Sequence, residues 1–386
     1  MLVISGCQNK VSQRSEIVNQ KKIVKTAKAE KKTGPQINQA SKVEKSEKKN
    51  KGPVISKPVE EKSEISISEH FNDPRIKVRK TVKLTPELKK YCQKIDQKFE
   101  RYKWGKSGCD KVHWNHVRDS FLGTPLIWGV FGDEDKIKTS SPEELNTTII
   151  LCGVHGDEVT PIKFCFDLIK HLQELDHPWD RDLVAIAPIV TPDSFFKKRP
   201  TRTNYRGVDV NRNFPTKDWK KDALRLWKGR YRKDPRRYPG KKALSEHETV
   251  FQVNLIKRYK PSKIISVHAP LTILDYDGPE LGKGGIYLAS NANKLLKKMS
   301  DSAKGYRIKN YPFFPGSLGN YAGNERGIPT YTLELPSSDY TKHKKFWIRF
   351  RESLDLAIFK NLNTKTAESS LKKSSLSDDE PKKKTD

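Results

Sequence analysis

Five short apolar runs constrain this chain more than any other feature. They occupy 126–131, 148–152, 183–189, 264–267 and 330–335, each bounded by polar or turn residues. Runs of that length are too short for buried helices and read as buried strands. Between them, 161–175 and 245–259 have the apolar spacing of helices. Strands alternating with helices predict a single α/β domain with a mixed, mostly parallel central sheet flanked by helices. In such sheets ligands collect outside the carboxyl ends of the strands. A further helix is predicted upstream, with Thr85 as N-cap, Pro86 in the first turn, and Tyr91, Ile95 and Phe99 on one face. No internal repeat is present.

Composition sets the limits of that domain. The chain has 386 residues, only 34% of them hydrophobic, and a formal charge of +29. Residues 8–66 contain no aromatic side chain and consist mainly of Lys, Glu, Gln, Ser and Asn. Such a segment cannot bury enough surface to offset chain entropy, so a disordered basic tether is expected. Residues 363–386 read the same way, as a disordered tail. All seven tryptophans lie between these ends. A helical extension is expected over 67–113 and the main domain over 114–362. No run of about 20 apolar residues occurs, so no complete transmembrane helix is encoded. Five cysteines are too few for a disulfide scaffold. Cys152 and Cys165 fall on a predicted strand and helix and are expected as buried free thiols. Cys92 and Cys109 flank the first helix and are able to pair in an oxidising compartment.

Four elements bear chemistry. In Cys152-Gly153-Val154-His155-Gly156-Asp157-Glu158, an imidazole and a carboxylate three residues apart sit between a strand and a helix. That spacing supplies two ligands to one zinc ion, although acidic residues also favour helix starts for electrostatic reasons alone. His268 ends the run at 264–267 and is a candidate third ligand; a lone histidine there also fits a structural role. Asn211 and Arg212, in Gly207-Val208-Asp209-Val210-Asn211-Arg212-Asn213, offer an amide and a planar fork suited to a carboxylate. The bland alternative is a surface loop with one ion pair. Glu334 interrupts the run at 330–335 and is either solvent-facing or held at a site.

Taken in order, His-x-x-Glu, Asn-Arg, a strand-end His and Thr332-Leu333-Glu334 resemble the zinc carboxypeptidase family, over roughly Trp114 to Phe346. Thr191-Pro192-Asp193-Ser194-Phe195 is similar to that family's Asn-Pro-Asp-Gly turn, with two departures. Three stretches most resemble its bacterial murein peptide amidase branch. They are Arg202-Thr203-Asn204-Tyr205-Arg206-Gly207-Val208-Asp209, Ser266-Val267-His268-Ala269-Pro270-Leu271, and Pro315-Gly316-Ser317-Leu318-Gly319-Asn320-Tyr321. The resemblance implies one Zn²⁺ per chain on His155, Glu158 and His268, with Glu334 as general base. It implies that Asn211 and Arg212 bind the substrate's terminal carboxylate. It also implies an oxyanion arginine, for which Arg202 is chosen with Arg199 and Arg206 left open, and a mobile tyrosine matched by Tyr311. The pocket for the leaving residue falls on 272–277 and 317–319. There Asp275 or Asp277 faces a side-chain ammonium, or both are surface loop residues, and Leu318 adds an apolar contact.

The implied activity is hydrolysis of peptidoglycan stem peptides, at the γ-D-Glu to meso-diaminopimelate bond. Alternatives are a general metallocarboxypeptidase removing basic C-terminal residues, an N-acyl-amino-acid deacylase, and a non-catalytic wall-binding module. The Pro315-Gly316-Ser317 turn ahead of a strand glutamate argues against the deacylase. Lys220–Lys242 interleaves basic and aromatic residues. It lacks any zinc-finger, RNA-recognition or P-loop signature, so no nucleic acid is expected as partner. Cell-envelope polyanions suit the charge better, and a solvated basic loop with no partner is the equal alternative. Ile4-Ser5-Gly6-Cys7 resembles the lipobox of bacterial lipoproteins. That implies a lipid-anchored enzyme of the bacterial envelope, attached to the membrane through Cys7 alone, with a cytoplasmic location as the alternative.

Overall fold

The computed structural model describes residues 84–279 and 286–364. Cys7, the tether at 8–66 and all but the first two residues of the tail at 363–386 lie outside the described residues. Seven strands form one sheet in the order β1-β2-β4-β3-β5-β7-β6. They are β1 Trp114–Asp119, β2 Pro125–Phe131, β3 Asn146–Leu151, β4 Asp182–Ala187, β5 Lys263–His268, β6 Ile273–Asp277 and β7 Thr330–Glu334. The centre is parallel (β4, β3, β5, β7), and the pairs toward both edges are antiparallel. The five expected runs all became strands. The edge strands β1 and β6 were not foreseen. β1 lies at 114–119 in Trp-Asn-His-Val-Arg-Asp, which alternates poorly, and β6 falls in the segment at 272–277 expected to line the pocket.

Helices cover both faces. They are α1 Pro86–Arg101, α2 Val159–Glu174, α3 Pro192–Phe195, α4 Leu224–Lys228, α5 His247–Tyr259, α6 Ile286–Ser302 and α7 His343–Phe359. Strand side chains alternate between two cores, as a period of two requires. Ile150, Val184, Ile186, Ile265 and Leu333 join α1, α2, α6 and α7. Ile149, Leu151, Leu183 and Ile264 face α5, Val210, Phe214 and Tyr321. The α1 segment therefore shares the main core rather than standing apart. Thr85 Oγ1 accepts from Leu88 N at 3.3 Å, as an N-cap does.

The cysteines need one correction. Cys92 and Cys109 are joined, with Cα atoms 5.3 Å apart. Cys152 and Cys165, expected as free thiols, are joined as well, with Cα atoms 6.3 Å apart. Packing of α2 on the end of β3 brings that pair within disulfide reach, which spacing along the chain does not reveal.

At the amino-terminal edge of the sheet, opposite the functional edge, Lys263 is fully buried. Its Nζ donates to Asn146 Oδ1 and, at 2.9 Å, to Lys360 O, while Asn146 Nδ2 donates to Ile358 O at 2.8 Å. The end of α7 is thus pinned to the first residues of β3 and β5. Burial pulls the Lys263 ammonium down to about 7, with the Asp182 charge opposing. Between that value and the unfolded value of about 10.4, the unfolded chain binds a proton that the folded one does not. Stability therefore rises with pH across this window, by up to about 4 kcal/mol. Lys263→Met should lack that rise. Denaturant unfolding of both proteins at pH 7 and pH 10 checks this, and an unchanged difference between them would mean that Lys263 stays charged when folded.

Candidate metal centre and active site

The carboxyl ends of the parallel strands bring the site together. After β3 the chain turns back through 152–158: Cys152 N donates to Ala187 O, Val190 N to Cys152 O and Thr191 N to Gly153 O. Gly156 lies flat on α3, where an added Cβ would meet Ser194 Cβ at 2.5 Å and Phe195 N at 2.6 Å. Only glycine permits that approach, and it presents His155 and Glu158 toward the cavity. His268 ends β5 and Glu334 ends β7, and the two are register partners.

His155 Nδ1 lies 2.8 Å from Glu158 Oε1, and His268 Nδ1 lies 2.9 Å from Glu158 Oε2. One donor atom from each of these residues lies within 4.8 Å of the others, and all three are buried. The remaining ring nitrogens are held from behind. His155 Nε2 is 3.1 Å from Asp209 Oδ1, and His268 Nε2 is 2.9 Å from Ser266 Oγ. Two imidazoles and a carboxylate with anchored outer nitrogens are the donor set of a catalytic zinc site, which leaves its remaining coordination to water or substrate. The residues present therefore fit such an ion.

Electrostatics favour the charged forms. Burial works against the Glu158 carboxylate, but the two histidines outweigh it and hold it well below its usual range. Asp209 is likewise held down against burial, by Arg202 first and then by His155. Arg202 closes the chain: its Nη1 is 3.2 Å from Glu158 Oε1, and its Nε donates to Asp209 Oδ2 at 3.1 Å. Of Arg199, Arg202 and Arg206, only Arg202 lines the cavity.

The cavity encloses about 570 Å³. Glu334 lines it and accepts from Leu271 N at 3.3 Å. Burial raises its pKa, with His268 opposing. Asn211 Oδ1 accepts from Leu318 N at 2.8 Å, so the apolar Leu318 is positioned by the same amide. The Arg212 guanidinium lies 4.6 Å from the Phe314 ring centroid. Asp275 and Asp277 are buried on β6 and line the cavity, so they are not surface loop residues. Asp275 Oδ1 accepts from Tyr311 N at 2.9 Å and from Tyr276 N at 3.0 Å. Asp277 packs against Gly319, where an added Cβ would stand 2.2 Å from its carboxylate. Burial pushes Asp275 up to about 6. Burial, with Asp275 adding to it, pushes Asp277 up to about 7. Tyr311 borders the same cavity.

The structure thus brings every residue expected at the site, apart from Cys7, to one cavity. Sequence reasoning missed Asp209 as the partner of His155, although an aspartate between Val208 and Val210 is an unusual buried acid. It also missed Arg236 and Arg237, which reach the cavity from the basic segment.

Comparison with known proteins gives a consistent picture. The family model for zinc carboxypeptidase matches residues 109–352. Murein peptide amidase A of Escherichia coli (strain K12) is 30% identical over 233 residues, which are 59% of this chain and 84% of that protein. Bovine thrombin-activatable fibrinolysis inhibitor, solved in complex with tick carboxypeptidase inhibitor, shares the fold. Its TM-score is 0.51 at 18% identity, covering 74% of this chain and 97% of that one. Carboxypeptidase A from Helicoverpa armigera does so with a TM-score of 0.52 at 16% identity, covering 72% of each.

Because Asp209 orients His155 from behind, Asp209→Ala should lower zinc affinity by about 10–100-fold. Competition against a chelator measures this, and an unchanged affinity would leave Asp209 a purely structural role.

Proposed function

This chain belongs to the zinc carboxypeptidase family, and from that premise we propose that it is a zinc-dependent amidase cleaving peptidoglycan stem peptides between γ-D-Glu and meso-diaminopimelate. It is a metallopeptidase; the substrate is the proposed part. One observation carries it. An amide and a guanidinium suited to a terminal carboxylate, Asn211 and Arg212, share a cavity with two buried acids, Asp275 and Asp277. A leaving residue with both a carboxylate and a side-chain ammonium answers both. The 30% identity to a murein peptide amidase supports the same reading. The acids also suit a C-terminal lysine or arginine, which keeps a basic-specific metallocarboxypeptidase as the second reading.

His155, Glu158 and His268 would hold a zinc ion, which would supply Lewis acidity toward the scissile carbonyl and lower the pKa of bound water toward about 7. Arg212 and Asn211 fix the substrate's end and so set which amide lies over Glu334. Glu334 takes a proton from the attacking water on its carboxylate and delivers it to the leaving nitrogen. Burial suits it to this, because a raised pKa lets the carboxylate hold that proton in transit. Arg202, kept in place by Asp209, sets a cation beside the carbonyl oxygen as charge develops; losing such a donor costs about 100–1000-fold.

The proposal extends to location. A basic tether behind Cys7 suits an anchored envelope enzyme, and two disulfides suit an oxidising compartment. The charge of +29 suits attachment to envelope polyanions.

Mass analysis of muropeptides digested with and without chelator tests the activity. Release of meso-diaminopimelate is expected, abolished by chelator and reduced by about 100-fold or more in Glu334→Gln with zinc content retained. Release only of basic residues from ordinary dipeptides would favour the second reading. The acid pocket generates its own pH dependence. Deprotonation of Asp275 and Asp277 near 6 and 7 creates the charge that holds an ammonium. The KM for a diaminopimelate substrate should therefore fall as pH rises through that range. Asp277→Asn should flatten the profile, whereas a substrate ending in alanine should show no such fall; a flat wild-type profile would count against the ammonium pocket.

A further inference from the structure

The basic segment at 220–242 is built onto the site rather than hanging from it. After the turn at Trp219–Ala223 and α4, Asp234 accepts from Arg236 N at 2.9 Å and starts a short turn, Pro235–Arg237. Trp227 Nε1 donates to Asp234 O at 2.8 Å, and the Trp227 and Tyr238 rings lie 4.8 Å apart. Immediately afterwards Tyr238 O accepts from Asp209 N at 2.8 Å. The same Asp209 orients His155. On its other side, Arg236 Nη1 reaches Asp157 Oδ2 at 2.8 Å, and Asp157 lies between His155 and Glu158 in the metal-site turn. Arg236 and Arg237 are therefore fixed relative to the metal centre from two directions.

Their guanidinium groups are not consumed by these contacts. Arg202 is mostly buried and pairs with both Glu158 and Asp209. Arg236 and Arg237, in contrast, have side chains 59% and 43% exposed, and among the described residues each has one acidic partner, Asp157 at 2.8 Å or Asp234 at 3.4 Å. A guanidinium presents five N–H donors, so each keeps an unused edge. Arg237 also stands close enough to Arg212 for its charge to disfavour that of Arg212. Like charges facing one cavity are relieved when an anion sits beside them. Arg212 and Asn211 serve the terminal carboxylate, and the wall around Leu318 and Asp277 serves the leaving side chain. Arg236 reaches the metal centre through Asp157 instead of through that wall.

We propose that Arg236 and Arg237 form a second carboxylate subsite, which takes a free carboxylate on the acyl side of the scissile amide. The subsite rests on the γ-glutamyl amidase reading above. A glutamyl residue linked through its γ-carbonyl leaves its α-carboxylate free next to the scissile bond, whereas an ordinary α-linked residue does not. The subsite thus selects γ-linked acyl groups and disfavours ordinary peptides.

The test uses the zinc-loaded full chain and two stem tripeptides, L-Ala-γ-D-Glu-diaminopimelate and the same peptide with the glutamyl α-carboxylate amidated. Wild type should prefer the free acid by at least about tenfold in kcat/KM. The double variant Arg236→Gln/Arg237→Gln should bring the ratio to about one, and Arg236→Lys/Arg237→Lys should retain most of it. A purely structural role would lower both rates and leave the ratio unchanged, which would overturn the proposal. Equal cleavage of both peptides by wild type would overturn the subsite alone. If the Gln variant instead erased a preference for diaminopimelate over lysine, the cations would serve the leaving residue and the acyl-side assignment would fall. Cleavage of neither γ-linked peptide, with turnover of ordinary C-terminal dipeptides, would overturn the subsite and the amidase reading together.

Discussion

The register between β5 and β7 is the constraint on which the rest of the site depends. Parallel pairing sets Ser266 against Thr332, Val267 against Leu333 and His268 against Glu334. A one-residue slip would turn Glu334 to the opposite face, because strand side chains alternate. The slip is resisted by the core: Leu333 and Tyr331 are fully buried on one face. The packing of apolar residues thus places His268 and Glu334 at one level. The same pairing of β3 with β5 brings the turn with His155 and Glu158 to that edge.

Burying so much charge at one place is tolerable only because the charges alternate. Asp209 lies against His155, His155 against Glu158, Glu158 against His268, and Arg202 bridges Glu158 and Asp209. An isolated buried carboxylate would simply protonate. Here each acid has a cationic or protonatable neighbour within hydrogen-bond distance, and Glu158 and Asp209 stay ionised. Asp275 and Asp277 contrast with them. They are buried beside each other on β6 with backbone amides or Arg212 as their main relief, and both are pushed up toward neutrality. The cavity therefore has an ionised end at Glu158 and Asp209 and a titratable end at Asp275 and Asp277.

Much of this was legible in the residues themselves. The five central runs show their strand character because continuous apolar stretches of that length fit little else. Glu334 interrupts an apolar run, His268 ends one, and the His155–Glu158 and Asn211–Arg212 motifs lie beside apolar residues; polar groups set against a core are expensive unless they serve a purpose. The edge strand β6 was harder to see. Ile273-Leu274-Asp275-Tyr276-Asp277 places two acids where a half-exposed strand would have solvent-facing positions, so the pattern alone allowed a surface loop.

What the sequence by itself determined is local: segment type, the helix cap at Thr85, the donor chemistry of each motif and the contrast in composition between a charged, aromatic-free stretch at 8–66 and an apolar-rich body. Only the tertiary structure decided which distant groups meet. It joined Cys152 to Cys165, set Asp209 behind His155, buried Asp275 and Asp277 against the cavity, and brought Arg236 from a basic segment to Asp157. The physical reason is that hydrophobic periodicity and side-chain chemistry are properties of a few consecutive residues. Convergence depends instead on sheet order and on loops packing against strand ends, which spacing along the chain does not encode.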